Sequence, residues 1–132
     1  DFAEGPLLVA ACVEGEFHEI GLRMVYGLLR QHGYRVRYLG ANVATPFLVS
    51  AVQANKPEAV LLSSSVEESF PGCLNAVTEL RAIWPAQQAP LILVGGEIAR
   101  NRESELRAAG AIPVQEAHAM TDLPALLSTA QP

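Results

Sequence analysis

Residues 7–33 read LLVAACVEGEFHEIGLRMVYGLLRQHG, and the change of rhythm within this stretch decides the fold. Leu7 to Val13 form an unbroken run of branched and small apolar residues, the pattern of a strand covered on both faces. From Glu19 to about His32 the apolar positions Ile20, Met24, Leu28 and Leu29, with Val25 between them, recur at helical spacing, and Gly33 stands where a helix stops. A buried strand that runs into an amphipathic helix is the first half of a βαβ unit, so a parallel sheet is predicted.

The alternation continues down the chain. YRVRYLG (34–40) interleaves arginine with apolar residues, as a half-exposed strand does. ATPFLVSAVQAN (44–55) opens a second helix, with Thr45 expected as its N-cap and Pro46 at the first helical position. EAVLLSS (58–64) reads as a central, doubly covered strand, and SFPGCLNAVTELRAIW (69–84) as a third helix with Pro71 near its first turn and Trp84 at its end. APLILVGG (89–96) supplies a fourth strand, ESELRAAG (103–110) a fourth helix, AIPV (111–114) a short fifth strand, and MTDLPALLSTA (120–130) a last helix capped by Thr121. The fold class predicted is α/β: a three-layer αβα sandwich of the flavodoxin-like or Rossmann-like kind, whose parallel sheet has five strands. Right-handed crossovers favour the strand order 2-1-3-4-5. No repeat, low-complexity tract or linker interrupts the pattern, so residues 1–132 are read as one domain.

Composition narrows the function classes. Half of the 132 residues are hydrophobic, enough for a core in a chain of this size. The net charge of −5 is spread rather than clustered, which leaves no basic face for neutralising phosphates, so this segment itself is not expected to bind nucleic acid. Cys12 and Cys73 are far apart and set among apolar residues, the usage of buried thiols in a reducing compartment, and a cytoplasmic setting is expected. No apolar stretch approaches the roughly 18 residues that a bilayer crossing needs, and no charged-then-apolar leader opens the sequence, so no membrane partner is expected. The opening DFAEGP reads as a linker entering a strand, and the domain is expected to belong to a longer protein.

In a parallel sheet of this order, ligands bind beyond the carboxyl ends of the strands, where the first and third diverge. The loops that would converge there carry Glu14, Gly15, Glu16, Phe17 and His18 after the first strand, Ser63, Ser64 and Ser65 after the third, and Gly95 and Gly96 after the fourth. Singly, each has a plain reading: a histidine at a helix start is commonly a cap or surface residue, serines after a strand cap the next helix, and paired glycines make a tight turn. A dinucleotide loop is disfavoured, because bulky carboxylates occupy the turn where a pyrophosphate needs bare backbone. A receiver domain is disfavoured because the third strand ends in serines rather than an aspartate. His18, His32 and His118 share no zinc-ligand spacing, and no GxSxG elbow supplies a hydrolytic nucleophile. The loops suit a binder, and no enzymatic activity is expected of the chain itself.

In combination the same residues say more. Glu16-x-His18-x-x-Gly21, forty-one residues, Ser63-x-Ser65, twenty-nine residues and Gly95-Gly96 together resemble the cobalamin-binding domain pattern D-x-H-x-x-G, S-x-L, G-G, across nearly the whole chain. The resemblance implies that cobalamin is the cofactor, bound with its own dimethylbenzimidazole displaced, its cobalt ligated from the lower face by His18 and its nucleotide tail threaded into the sheet's crevice. Glu16 would then accept the other ring N–H of His18 and fix the tautomer. Gly21, with Ile20 beside it, would let the corrin lie close to the helix. Ser63 would meet the benzimidazole nitrogen, and Gly95 and Gly96 would leave a slot for the tail. Val66, Leu62 and Val94 would wall the pocket, with Ser65 among the cofactor contacts. Two positions depart from the pattern: Glu16 is one methylene longer than the usual aspartate, and Ser65 replaces the usual leucine.

The string GEFHEIGLRMVYGLLRQHGYRVRYLG (15–40) is similar to the cobalamin domains of the MerR-type light-responsive transcriptional regulators, which also carry G-E-x-H-E-x-G at this point. That resemblance implies an upstream DNA-binding helix-turn-helix and four-helix cap, with adenosylcobalamin between the cap and this domain. It also implies a homo-oligomer that represses transcription in the dark and comes apart when light breaks the cobalt–carbon bond. DNA would be reached only through the upstream part. Two other functions fit the same residues: the corrinoid-carrying domain of a methyltransferase or carbon-skeleton mutase, and a sandwich-fold interaction domain that takes no cofactor. His118 reads as a surface-loop residue and His32 as the partner of the first helix's C-terminal dipole. Glu67 and Glu68 either face the corrin amides or are solvated acids in the third helix's first turn.

Overall fold

The computed structural model describes residues 5–84 and 90–114. They contain a wholly parallel five-stranded sheet in the order β2-β1-β3-β4-β5, as the alternation predicts. Its strands are β1 (Leu7–Cys12), β2 (Arg35–Tyr38), β3 (Ala59–Ser63), β4 (Leu91–Gly95) and β5 (Ile112–Pro113). The helices are α1 (Ile20–Gln31), α2 (Thr45–Asn55), α3 (Phe70–Ala82), α4 (Glu97–Asn101) and α5 (Glu103–Ala109). The helix expected over 120–130, with Thr121 and nearby His118, lies outside the described residues.

Alternate residues of the central strands feed two cores, because successive side chains of a strand point to opposite faces. Val9, Ala11, Val60, Leu62, Ile92 and Val94 face α2, α3 and the α4–α5 pair, where they meet Leu48, Val52, Val77, Leu80 and Leu106. Leu8, Ala10, Ala59, Leu61 and Leu93 face α1 through Leu22, Val25 and Leu29. Helices therefore cover both faces, and the molecule is the three-layer sandwich expected.

Three local expectations are corrected. Of the apolar positions named, Val25 and Leu29 pack against the sheet, joined by Leu22, while Ile20 and Met24 do not face it and are 78% and 62% exposed. Both sides of this helix carry apolar residues, so periodicity could not say which side the sheet would take. Thr45 does not cap α2; Ala44 holds that position, and the buried Thr45 hydroxyl accepts a bond from Asn75 Nδ2 of α3 at 3.2 Å. A bond between two helices has displaced the local cap. The short α4 was not predicted, since EIARN is too brief to show a period.

Register positions the functional end. Cys12 pairs with Ser63 and Ser63 with Gly95, so β1, β3 and β4 finish level and release their loops from one edge of the sheet. Two open clefts lie at the opposite, amino ends of the strands, one of about 440 Å³ lined by Lys56, Trp84 and Pro90, the other of about 350 Å³ lined by Leu7, Tyr26 and Arg35. Leu62, at 1% exposure, is among the largest fully buried side chains of the sheet. Leu62→Ala should cost about 3 kcal/mol, read as an earlier urea midpoint at unchanged slope.

Candidate functional site

The loop after β1 is held on both sides. Glu16 N–H donates to the Val13 carbonyl at 2.9 Å and closes a turn. Gly15 N–H donates to Asn42 Oδ1 at 2.8 Å, and Asn42 N–H returns a 2.8 Å bond to the Glu16 carbonyl, so the loop after β2 braces it from one flank. The Cys12 thiol donates to the His18 carbonyl at 3.7 Å. Burial pushes that thiol up to about 11, with the Glu16 and Glu19 carboxylates adding to the rise, so it stays neutral and able to donate.

The other flank is closed by the Glu16 side chain, which is fully buried. Its Oε1 accepts from the backbone N–H of Ser65, from Val66 N–H at 3.3 Å and from Ser69 Oγ at 3.0 Å. Its Oε2 accepts from Ser65 Oγ at 2.8 Å, from His18 N–H at 3.1 Å and from His18 Nδ1 at 2.9 Å. Burial pulls this carboxyl upward, but the donors of Ser65 and His18 outweigh it and hold the group at about 2, well below its ordinary 4.5. Glu16 is therefore an ionised carboxylate without water, locked to two loops at once.

That state decides the chemistry of His18. An ionised carboxylate only accepts, so Nδ1 carries the ring proton and Nε2, on the far side of the ring, carries a free lone pair. The side chain is 72% exposed. An imidazole held at Nδ1 from below, with its other nitrogen on the open side, is placed to act as a ligand or a general base.

The remaining expected residues divide. Gly21 and Gly95 face open space, so either would admit a flat ligand close to backbone. At Gly96 the missing side chain is filled from within: φ is 103°, and a Cβ would run into the Ser64 carbonyl. Leu62 and Val94 are core residues, fully buried beneath the loops, and do not line an open wall; Val66 is half-buried above them. Ser63 is half-buried at the end of β3, next to the Cys12 thiol. Ser65 turns to Glu16 with both its N–H and its hydroxyl. Glu67 is taken by Arg102, whose Nη2 donates to it at 2.7 Å while the guanidinium lies 4.5 Å from the Phe70 ring centroid.

Ser64, named with its neighbours but given no role, and Ser69, not singled out from sequence, are both fully buried and join the network. Ser69 has one proton, directed to Glu16 Oε1 at 3.0 Å and the Val66 carbonyl at 2.9 Å, both of which only accept, so at 2.6 Å it accepts from Ser64 Oγ. Ser69 sits where an N-cap would, but its side chain caps nothing. A serine at a helix entrance whose first turn already contains a proline was the available signal.

The fold and the loops define a ligand-binding domain of the open parallel α/β class, with an oriented, exposed imidazole at the switch point between β1 and β3. The family model described as "B12 binding domain" matches residues 6–123, and the chain belongs to that family, the cobalamin-binding domains. It is 35% identical over 96 residues to the HTH-type transcriptional repressor CarH of Myxococcus xanthus, covering 73% of this chain and 31% of the repressor. It is 31% identical over 110 residues to the repressor CarA of the same organism, covering 81% of this chain and 36% of CarA. A methanol-corrinoid protein of Methanosarcina barkeri is 42% identical over 50 residues, 38% of this chain and 19% of that one. The chain thus spans about a third of the length of the two repressors. Among solved structures, a cobalamin-binding protein from Desulfitobacterium hafniense DCB-2 shares the fold with a TM-score of 0.79, at 23% identity over 92% of this chain and 58% of that one.

A carboxylate whose folded value is depressed adds stability above its ordinary 4.5 and loses it as pH falls through about 2. The difference is worth about 3 kcal/mol at neutral pH. Glu16→Gln should therefore be less stable than the natural chain by up to about that amount at pH 7, and the gap should narrow steadily as pH falls from 4.5 to 2. Urea unfolding of both proteins across that range checks the prediction, and a gap that does not change with pH would mean that the charge is not what stabilises.

Proposed function

We propose that the chain binds cobalamin with the vitamin's own base displaced, His18 Nε2 serving as the lower ligand of cobalt, and that it is the sensory module of a transcriptional regulator. The observation that carries this reading is the 2.9 Å contact between Glu16 and His18 Nδ1, which leaves a basic nitrogen exposed and aimed away from the protein. Among the described residues no group of three or more His, Cys, Asp or Glu side chains gathers to hold a metal ion. A lone imidazole suits a metal that arrives with its other ligands in place, as cobalt does in a corrin.

When bound, the cofactor would supply light-sensitive cobalt chemistry, held in place by His18, Glu16 and Gly21. The chain's residues hold and orient. His18 donates its lone pair, and Glu16 holds the ring proton so that the donating nitrogen cannot exchange places with its neighbour. Gly21 offers bare helix surface, and Phe17, Ile20 and Met24 are exposed apolar side chains around the histidine that would cover the macrocycle's apolar edge. Ser63, Ser65, Val66 and Gly95 would border the path of the nucleotide tail, and Gly96 would serve it by holding the turn against the Ser64 backbone.

The regulator assignment is supported by the repressors CarH and CarA. In this reading the physiological form is adenosylcobalamin and the stimulus is light. The full-length protein is a cytoplasmic homo-oligomer of the MerR type, whose upstream helix-turn-helix contacts DNA. The second reading, a corrinoid carrier for a methyltransferase or mutase, draws on the methanol-corrinoid relative. An upstream helix-turn-helix favours the first, and a fused or partnered methyl-transfer domain the second.

Mixing the purified chain with hydroxocobalamin, and separately with adenosylcobalamin, should give the visible spectrum of a base-off, histidine-ligated species. His18→Ala should lose that spectrum and weaken binding at least tenfold, about 1.4 kcal/mol or more. A variant whose spectrum matches the natural chain would end the ligation claim.

A further inference from the structure

We propose that Ser65 is a positioning residue for His18 and that it acts as a matched pair with Glu16, the one needing the other. The proposal rests on the reading of His18 as the cobalt ligand. Its starting point is a coincidence in space: the two positions at which the sequence departs from the cobalamin-domain pattern are in direct contact, Ser65 Oγ lying 2.8 Å from Glu16 Oε2.

The geometry gives the contact a specific duty. Oε1 is held by the N–H groups of Ser65 and Val66 and by the Ser69 hydroxyl. A carboxylate held at one oxygen still turns about that point, because the terminal torsion of glutamate is broad and has no deep staggered wells. Oε2 is the oxygen that meets the ring of His18, and Ser65 is the only residue outside the histidine's own loop whose hydrogen bond reaches it among the described residues. By donating its N–H to one oxygen and its hydroxyl to the other, Ser65 clamps the carboxylate plane. That plane fixes the direction of the Nδ1–H bond, hence the direction in which Nε2 points.

The pairing follows from reach. A glutamate extends far enough for Oε2 to stand between the ring and the side chain at position 65. An aspartate, one methylene shorter, would keep either the histidine or the Ser65 hydroxyl. A hydroxyl at position 65 is thus useful only opposite a glutamate, and together with the His18 N–H it fixes the plane of that glutamate. Ser65 is half-buried on a loop, and its replacement removes one hydroxyl without opening a core cavity.

The test uses the cofactor-free chain first. Long-range ¹H–¹⁵N spectra of the His18 ring, assigned by comparison with His18→Gln, should show the Nδ1–H tautomer in the natural chain and in Ser65→Thr. A mixture of tautomers is expected in Ser65→Ala. With hydroxocobalamin, Ser65→Ala should bind about tenfold more weakly, the lower end of the range for residues that orient a metal-binding histidine, with a smaller histidine-ligated fraction. Ser65→Thr should restore both. Glu16→Asp should lose a similar factor, and Glu16→Asp with Ser65→Ala should be no worse than Glu16→Asp alone, because the clamp is already broken. An unchanged tautomer in Ser65→Ala, or losses that multiply in the double variant, would overturn the pairing. Should the natural chain form no histidine-ligated cobalamin, the functional reading fails, and the tautomer measured without cofactor still decides the role of Ser65.

Discussion

A single buried negative charge organises the functional end of this molecule. Moving a carboxylate out of water costs several kcal/mol even after the protein relaxes, about what two or three charge-assisted hydrogen bonds return at roughly 1.5–3 kcal/mol each. Glu16 receives six contacts, from His18 N–H, His18 Nδ1, Ser65 N–H, Ser65 Oγ, Val66 N–H and Ser69 Oγ. The balance favours ionisation, and an ionised Glu16 holds the Nδ1 proton of His18 so that Nε2 faces outward. None of these donors is near Glu16 in sequence except those of His18. They are delivered by a loop about fifty residues on, and only because β3 lies beside β1.

The fold makes that delivery rigid. Ser63 is aligned with Cys12 on one side and Gly95 on the other, so the three loops begin from a common line. Gly96 lets α4 start hard against the Ser64 backbone, and Arg102 ties Glu67 and the Phe70 ring to the same corner. Beneath these loops, Leu62 and Val94 are core. The arrangement is a stiff polar floor carrying one accessible nitrogen, with Phe17 exposed on the same loop and Ile20 and Met24 exposed on the first turns of α1. Such a floor offers a ligand direction rather than enclosure.

Much of the fold was legible because strand and helix periods are properties of short windows. The apolar runs 7–13, 59–62 and 91–94 can be little else than buried strands, and right-handed crossovers then leave few orders for the sheet. What failed were choices between two faces or two partners. Ile20 with Met24 and Leu22 with Val25 and Leu29 are both apolar rows on α1, and the sheet selected the second. The Thr45 hydroxyl had a local cap available and bonded Asn75 across the helix layer instead.

The site divides along the same line. Sequence by itself pointed to its proposed outer members: Glu16, His18, Gly21, the serines at the end of β3 and the paired glycines at the end of β4 stand at spacings that order and composition make visible. It also determined that Glu16 and Ser65 are unusual, as two separate oddities. Only the tertiary structure decided that they are one feature, that Ser64 and Ser69 belong with them, and that Gly96 serves the backbone of Ser64 while Gly95 stays open. The reason is physical. A hydrogen bond depends on where two atoms are in space, and the atoms that hold Glu16 are brought to it by a strand pairing that no short stretch of the chain contains.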